Sequence, residues 1–248
     1  MRAVVTGGAR RVGAAVAKYL AENGFEVIIH YNNSDKDAKS MKLWADENNL
    51  KIELIKCDLL DLNETSNLID TIESRFGAID LLVNNASLFK KDEMEYFKTD
   101  FFQEHMTINC LSPTLIMKNF FGRAALSKRV CINILDQKVH NLNPDFFSYT
   151  ISKCAFASAT SLAAMACQKN QYVYSISPGL TLISGNQTEE SFSTAWKKTP
   201  MGYGATPDAI ARAVLFLFDN NTANGFDLVL DAGEQLLKRK RDVAFITD

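Results

Sequence analysis

The chain has 248 residues, 47% hydrophobic and 23% charged, which is enough for one large core or two small ones. Its 27 Lys and Arg against 29 Asp and Glu provide no basic field, which argues against nucleic-acid or membrane-surface partners. Five cysteines without ligand spacing and three unclustered histidines argue against a disulfide framework or a bound metal; with no uncharged apolar run of bilayer length and no leader, a soluble cytoplasmic protein is expected.

Residues 1–6 form a strand-like apolar run, 9–23 carry apolar residues at helical spacing, and 25–31 form a β-branched run flanked by Gly24 and Asn32-Asn33. This is a β-α-β unit. Between its first strand and helix stands Thr6-Gly7-Gly8-Ala9-Arg10-Arg11-Val12-Gly13. Glycines there let backbone N–H groups approach a pyrophosphate at a helix N-terminus, where the dipole favours anions. A tight turn with no ligand is the plain alternative. The spacing departs from G-x-G-x-x-G because Arg11 takes the middle position.

The second strand ends in His30-Tyr31-Asn32-Asn33-Ser34. It lacks the acid that would bond the ribose hydroxyls of NAD and repel a 2′-phosphate. With Arg10 and Arg11 facing the same region, NADPH is the expected cofactor.

Ser34 and Asp37 suggest a capping-box-like start to a helix ending near Asn49. A strand at 52–57, a helix near 63–76 and a strand at 79–83 follow. A long helix over about 99–127 leads into a strand at 130–135. The remainder is a helix from Tyr149 to about Asn170, a strand at 172–176, a helix near 207–219 and a last strand at 226–230. The alternation predicts an α/β fold, a doubly wound parallel sheet with helices on both faces, Rossmann-like, as one domain over 1–248.

In such a sheet ligands sit beyond the carboxyl ends of the strands. There the chain places Asp58-Leu59, then Asn84-Asn85-Ala86-Ser87, and Ser177-Pro178-Gly179, while Asn109 lies within the long helix. Asp136 ends the fifth strand, and Tyr149 and Lys153, four apart, share a helix face. The Lys charge is expected to favour phenolate and lower the Tyr149 pKa, with Asp136 as a third member. A Tyr and a Lys at this spacing are by themselves common. The basic run Lys238-Arg239-Lys240-Arg241 reads as a solvated face or a subunit contact.

Taken in order, these motifs resemble the short-chain dehydrogenase/reductase family across essentially the whole chain. The resemblance rests on the 6–13 loop, Asp58, Asn85-Ala86-Ser87 in place of N-A-G, Asn109, Tyr149-x-x-x-Lys153 and Pro178-Gly179. In most of that family a Ser stands thirteen positions before the Tyr and bonds a carbonyl oxygen; here it is Asp136. An ionised carboxylate opposes the charge that develops on a carbonyl oxygen under hydride attack, which disfavours C=O. A C=N nitrogen must instead gain a proton, which a carboxyl bonded to Tyr149 can hold or relay. Asp136 as a turn cap, or a relative that only binds nucleotide, stays open.

The departure is similar to the pteridine reductases and bacterial dihydromonapterin/dihydrofolate reductases, which share T-G-x-x-x-R-x-G, N-N-A-S, the Asp thirteen before Tyr, and P-G-L-[ST]. That resemblance implies NADPH-dependent reduction of a dihydropterin or dihydrofolate to the tetrahydro form. It implies cofactor contacts at Gly7, Arg10, Arg11, Val12, Gly13, Tyr31, Asn32, Asn33, Ser34, Asp58, Leu59, Asn85, Ala86, Ser87, Tyr149, Lys153, Pro178 and Gly179. Arg11, Ser87, Asp136, Tyr149 and Leu180 would meet the pterin, Phe89 would stack on it, and Asn109 would position Lys153 or a water chain. Segment 184–199 would cover the substrate, with Trp196 a further pocket wall. A homotetramer is implied, and the tail 234–248 has no assigned role. A same-family reductase of a non-pterin carbonyl or imine, and a non-catalytic NADP-binding regulatory protein, remain as alternatives.

Overall fold

The structure is a computed structural model that describes residues 1–122, 127–183, 187–220 and 223–245. Seven strands form one sheet: β1 (Arg2–Val5), β2 (Glu26–Tyr31), β3 (Ile52–Lys56), β4 (Leu81–Asn84), β5 (Arg129–Ile134), β6 (Gln171–Pro178) and β7 (Asp227–Leu230). Every pairing is parallel, in the order β3-β2-β1-β4-β5-β6-β7. Apolar residues run almost continuously along the central strands, as a sheet covered on both faces requires.

On one face α1 (Arg11–Glu22), α2 (Asp35–Glu47) and α8 (Pro207–Asp219) share a core with Val5, Ile29 and Ile132. On the other, α3 (Leu62–Phe76), α5 (Ser112–Phe121) and α6 (Phe147–Ala166) pack on Val4, Ile28 and Leu82. The chain runs outward from β1 through β2 to β3, then returns to place β4 on the other side of β1. That reversal opens a crevice at the carboxyl edge. Register levels the edge: Val5 is opposite Val83, and Val83 is opposite Ile132.

Three local expectations are corrected, and a fourth falls partly outside the described residues. Ser34 makes no side-chain cap, and no capping box forms there; Asp35 pairs instead with Lys56. The long helix is α4 (Thr99–Met106), a π-helical turn over Thr107–Leu111 and α5, which ends at Phe121. Part of the covering segment, residues 184–186, lies outside the described residues; much of the rest is α7 (Glu189–Lys197), started by a Thr188–Ser191 capping box. The basic run is not simply a solvated face, because Arg239 pairs with buried Glu234 and Arg241 with buried Asp145. Among the described residues no helix is long and apolar enough to cross a membrane.

Candidate active site

A cleft of ≈ 640 Å³ opens at the carboxyl edge of the sheet. Its β1 side is made by the glycine loop. Gly7 has φ 63°, and a Cβ on Gly13 would lie 2.3 Å from the Gly7 carbonyl oxygen and 2.6 Å from Asn85 Nδ2, so only glycine fits there. The Asn85 and Ala86 amides donate to Thr6 Oγ1 at 2.9 and 3.0 Å, and Asn85 Nδ2 donates to the Thr6 carbonyl at 2.9 Å. These bonds lock the loop onto the end of β4. The first turn of α1 carries no acidic residue and no side-chain cap, which leaves its N–H groups suited to an anion.

The rest of the expected nucleotide half is gathered here too. Arg10, Arg11 and Val12 line the cleft beside Tyr31, Asn32, Asn33 and Ser34. Asp58 and Leu59 line it beyond β3, and Pro178 and Gly179 beyond β6. No acid from the end of β2 enters it; Asp35 is paired with Lys56, and Asp37 lies 3.8 Å from exposed Arg10. The cleft therefore fits a dinucleotide with a charged ribose substituent.

Sequence reasoning did not single out His30 as a structural support. It is buried, its Nδ1 accepts from the Gly7 amide at 3.2 Å, and its Nε2 lies 3.0 Å from the Cys57 carbonyl. Those partners require the tautomer with hydrogen on Nε2. Burial lowers its pKa to about 4, so the ring is neutral at neutral pH. A histidine inside an otherwise apolar strand was the available signal.

Asn109 does not line the cleft. It is buried in the π-helical turn, and its Oδ1 accepts from Ser87 Oγ at 3.1 Å and the Leu88 amide at 2.7 Å. Its Nδ2 donates to the Leu88 carbonyl and to Ser152 Oγ, each at 2.9 Å. Asn109 thus ties the segment after β4 to α6, the helix that carries Lys153. Inserted π-helical turns alter the facing of such residues, and they recur at functional sites.

Asp136, Tyr149 and Lys153 come together at the floor. The Tyr149 hydroxyl donates to Asp136 Oδ2 at 2.7 Å, the Lys138 amide donates to Asp136 Oδ1 at 2.9 Å, and Lys153 Nζ donates to the Ile134 carbonyl at 2.8 Å. The expected lowering of the Tyr149 pKa is overturned. Burial, and then the Asp136 carboxylate, push it well above the ordinary phenol range. Burial also raises Asp136, against the Lys138 amide, the Tyr149 hydroxyl and the charges of Lys138 and Lys153. Lys153 falls to about 8 through burial, opposed by Asp136. The arrangement keeps a proton on Tyr149 and makes Asp136 a better proton acceptor than an exposed carboxylate.

Phe89 closes this end, stacked on Phe146 at 4.4 Å and edge-on to Tyr149 at 4.6 Å between ring centroids. Phe146 precedes α6 with φ 57°, a strained conformation for a bulky residue. Ser87 and Leu180 also line the cleft, and Arg11 Nη1 donates to the Ile183 carbonyl at 2.8 Å, joining the glycine loop to the segment after β6. Trp196 is not a wall; its Nε1 donates to the Leu180 carbonyl at 3.0 Å from behind. Lys138, Asp242 and Val243 line the cleft without having been singled out for it. Among the described residues no group of three or more His, Cys, Asp or Glu is placed to hold a metal ion.

A doubly wound parallel sheet with this glycine loop and Tyr-Lys-Asp group at its reversal defines a Rossmann-like oxidoreductase. A family model described as Enoyl-(Acyl carrier protein) reductase matches residues 7–234, and the chain belongs to the short-chain dehydrogenase/reductase family. It is similar to the structure of FolM Alternative dihydrofolate reductase 1 from Brucella suis in complex with NADP, with TM-score 0.91 and 32% identity over 96% of each chain. An uncharacterized oxidoreductase of Thermotoga maritima is 28% identical over 93% of this chain and 94% of that protein. Sorbose reductase SOU1 of Candida albicans is 29% identical over 93% of this chain and 85% of that protein.

Proposed function

We propose that the protein reduces the C=N bond of a dihydropterin or dihydrofolate with NADPH. The observation that carries this reading is the 2.7 Å bond from Tyr149 to Asp136 at the floor of the cleft. A carboxylate there opposes an oxyanion but suits a nitrogen that must be protonated. The likeness to an alternative dihydrofolate reductase crystallised with NADP supports both substrate class and cofactor.

NADPH supplies a hydride when bound. The residues of the 7–13 loop and of 31–34 hold its phosphates, Asp58 and Leu59 its adenine end, and Asn85, Ala86, Pro178 and Gly179 its nicotinamide end. Lys153 holds the nicotinamide ribose. Phe89 covers one face of the flat ring, and Ser87, Arg11 and Leu180 border it. Tyr149 delivers the proton needed by an oxidised pterin, and Asp136 orients and recharges it. Asn109 acts by positioning Ser87 and the Tyr149 helix. The ring nitrogen of the dihydro form gains its proton at the same Tyr149–Asp136 pair.

Exposed Leu162 and Met165 on α6, with Leu111 beside α5, support packing against further copies of the chain, as in a homotetramer. The whole chain serves as one cytoplasmic catalytic domain.

A sugar or other carbonyl is the second reading, favoured by the likeness to sorbose reductase. Incubation with NADPH and dihydropterin, dihydrofolate or a ketose, followed by loss of the reduced-nicotinamide absorbance, separates the two. Turnover of ketoses but of no pterin would overturn the proposal.

A further inference from the structure

The segment after β7 is bound to the substrate end of the cleft by charged side chains, among which Lys138 and Asp145 are buried. Arg241 Nε donates to Asp145 Oδ1 and Oδ2 at 3.0 and 2.9 Å, and the Asp242 amide donates to Asp145 Oδ2 at 2.7 Å. Asp242 Oδ2 lies 2.8 Å from Lys138 Nζ, which also donates to Asn143 Oδ1 at 2.7 Å. Lys138, Asp145 and Val243 are all buried. Phe245 stacks on Phe146 at 5.7 Å, and Phe146 stacks on Phe89, so an aromatic ladder runs from the tail to the ring beside Tyr149.

A buried ion pair is costly to assemble, and well-packed apolar residues would staple a tail at least as well. This pair lies against the reacting groups. Lys138 holds Asp136 through its backbone amide and acts on it by its charge, while the Asp242 carboxylate bears on Tyr149.

We propose that residues 239–245 are the outer wall of the substrate site, and that Asp242 is a positioning residue which, through Lys138, sets the charge and place of the Asp136–Tyr149 pair. The substrate named for this wall rests on the pterin reading, whereas its effect on Asp136 does not. Asp242 is faced by Lys138 and Asp145 from the segment after β5, by Arg241 on the tail and by Tyr149 on α6. Asp136 is faced by Lys138 and by Tyr149, Lys153 and Cys154 of α6. Without the Asp242 charge, Lys138 acts on Asp136 uncompensated.

The test is carboxyl-carbon NMR titration of aspartate-labelled full-length protein, with the Asp136 signal assigned by its loss in Asp136→Asn. Asp242→Asn should move the Asp136 midpoint down by about one pH unit, and Lys138→Met should move it up. Asp242→Asn should also raise the dihydropterin KM several-fold while NADPH binding, read by fluorescence, stays unchanged. Arg241→Ala, which frees the tail from an exposed side chain, should give the same KM split if Asp242→Asn does not fold. An unmoved Asp136 midpoint, or NADPH and substrate binding lost together, would overturn the proposal. Wild-type protein that turns over no pterin would sink the pterin reading instead, and the titration would still decide the effect of Asp242 on Asp136.

Discussion

The glycine-loop half of the cleft comes from one short stretch, residues 7–13, locked to the neighbouring strand end by Thr6 and Asn85. The opposite half gathers Phe89, Asp136, Leu180 and Asp242 from places far apart in the chain. The first is mainly backbone geometry, so one added atom can ruin it. The second is side-chain chemistry on a fixed frame, so its groups can be exchanged one at a time. Substitutions in the two halves should therefore separate cofactor affinity from the proton step.

The first break is expected at Gly13→Val. With no room for even a Cβ, NADPH affinity should fall by at least about 100-fold, or about 2.7 kcal/mol, in a fluorescence titration. Retained affinity would mean that the loop is not the rigid half. Tyr149→Phe should do the reverse, lowering turnover of a fully oxidised pterin by roughly 10²–10⁴-fold while NADPH affinity is kept. A variant that loses both would dissolve the distinction.

Asn109→Ala sharpens the comparison, since Asn109 ties the segment after β4 to α6. Its loss unpairs buried partners and should cost about 1–3 kcal/mol in a urea unfolding curve, with turnover reduced more than NADPH affinity.

The last effect is confined to acid pH and concerns His30. Its folded pKa of about 4 lies below the ordinary 6.5, so the unfolded chain binds the extra proton first. Stability from the neutral ring is complete above pH 6.5 and declines as pH falls from there to about 4, by up to about 3 kcal/mol. His30→Gln should flatten that part of the melting-temperature profile. An equally steep profile in the variant would assign the acid sensitivity elsewhere.

The alternation of elements and the glycine loop were legible because each is written in consecutive residues with a definite period. The Asp136–Tyr149 pairing was legible through its spacing and the family resemblance. The direction of the Tyr149 pKa was not, because sequence places Lys153 on the same face but gives neither the depth of burial nor the closer hold of Asp136. Asn109 was placed in a continuous helix, and only the π-helical turn shows that it reaches Leu88 and Ser152. The tail was unreadable because Arg241 and Asp145 meet across nearly a hundred residues, and no local pattern records such a pair.

The central claim is that Asp136 makes this a C=N reductase, and kcat/KM for a dihydropterin, in the wild type and in Asp136→Ser with NADPH saturating, tests it most directly. The account predicts wild-type turnover and a fall of roughly 100-fold or more in the variant, with NADPH binding intact. Equal rates in the two proteins, or NADPH binding with no pterin turnover by the wild type, would contradict it.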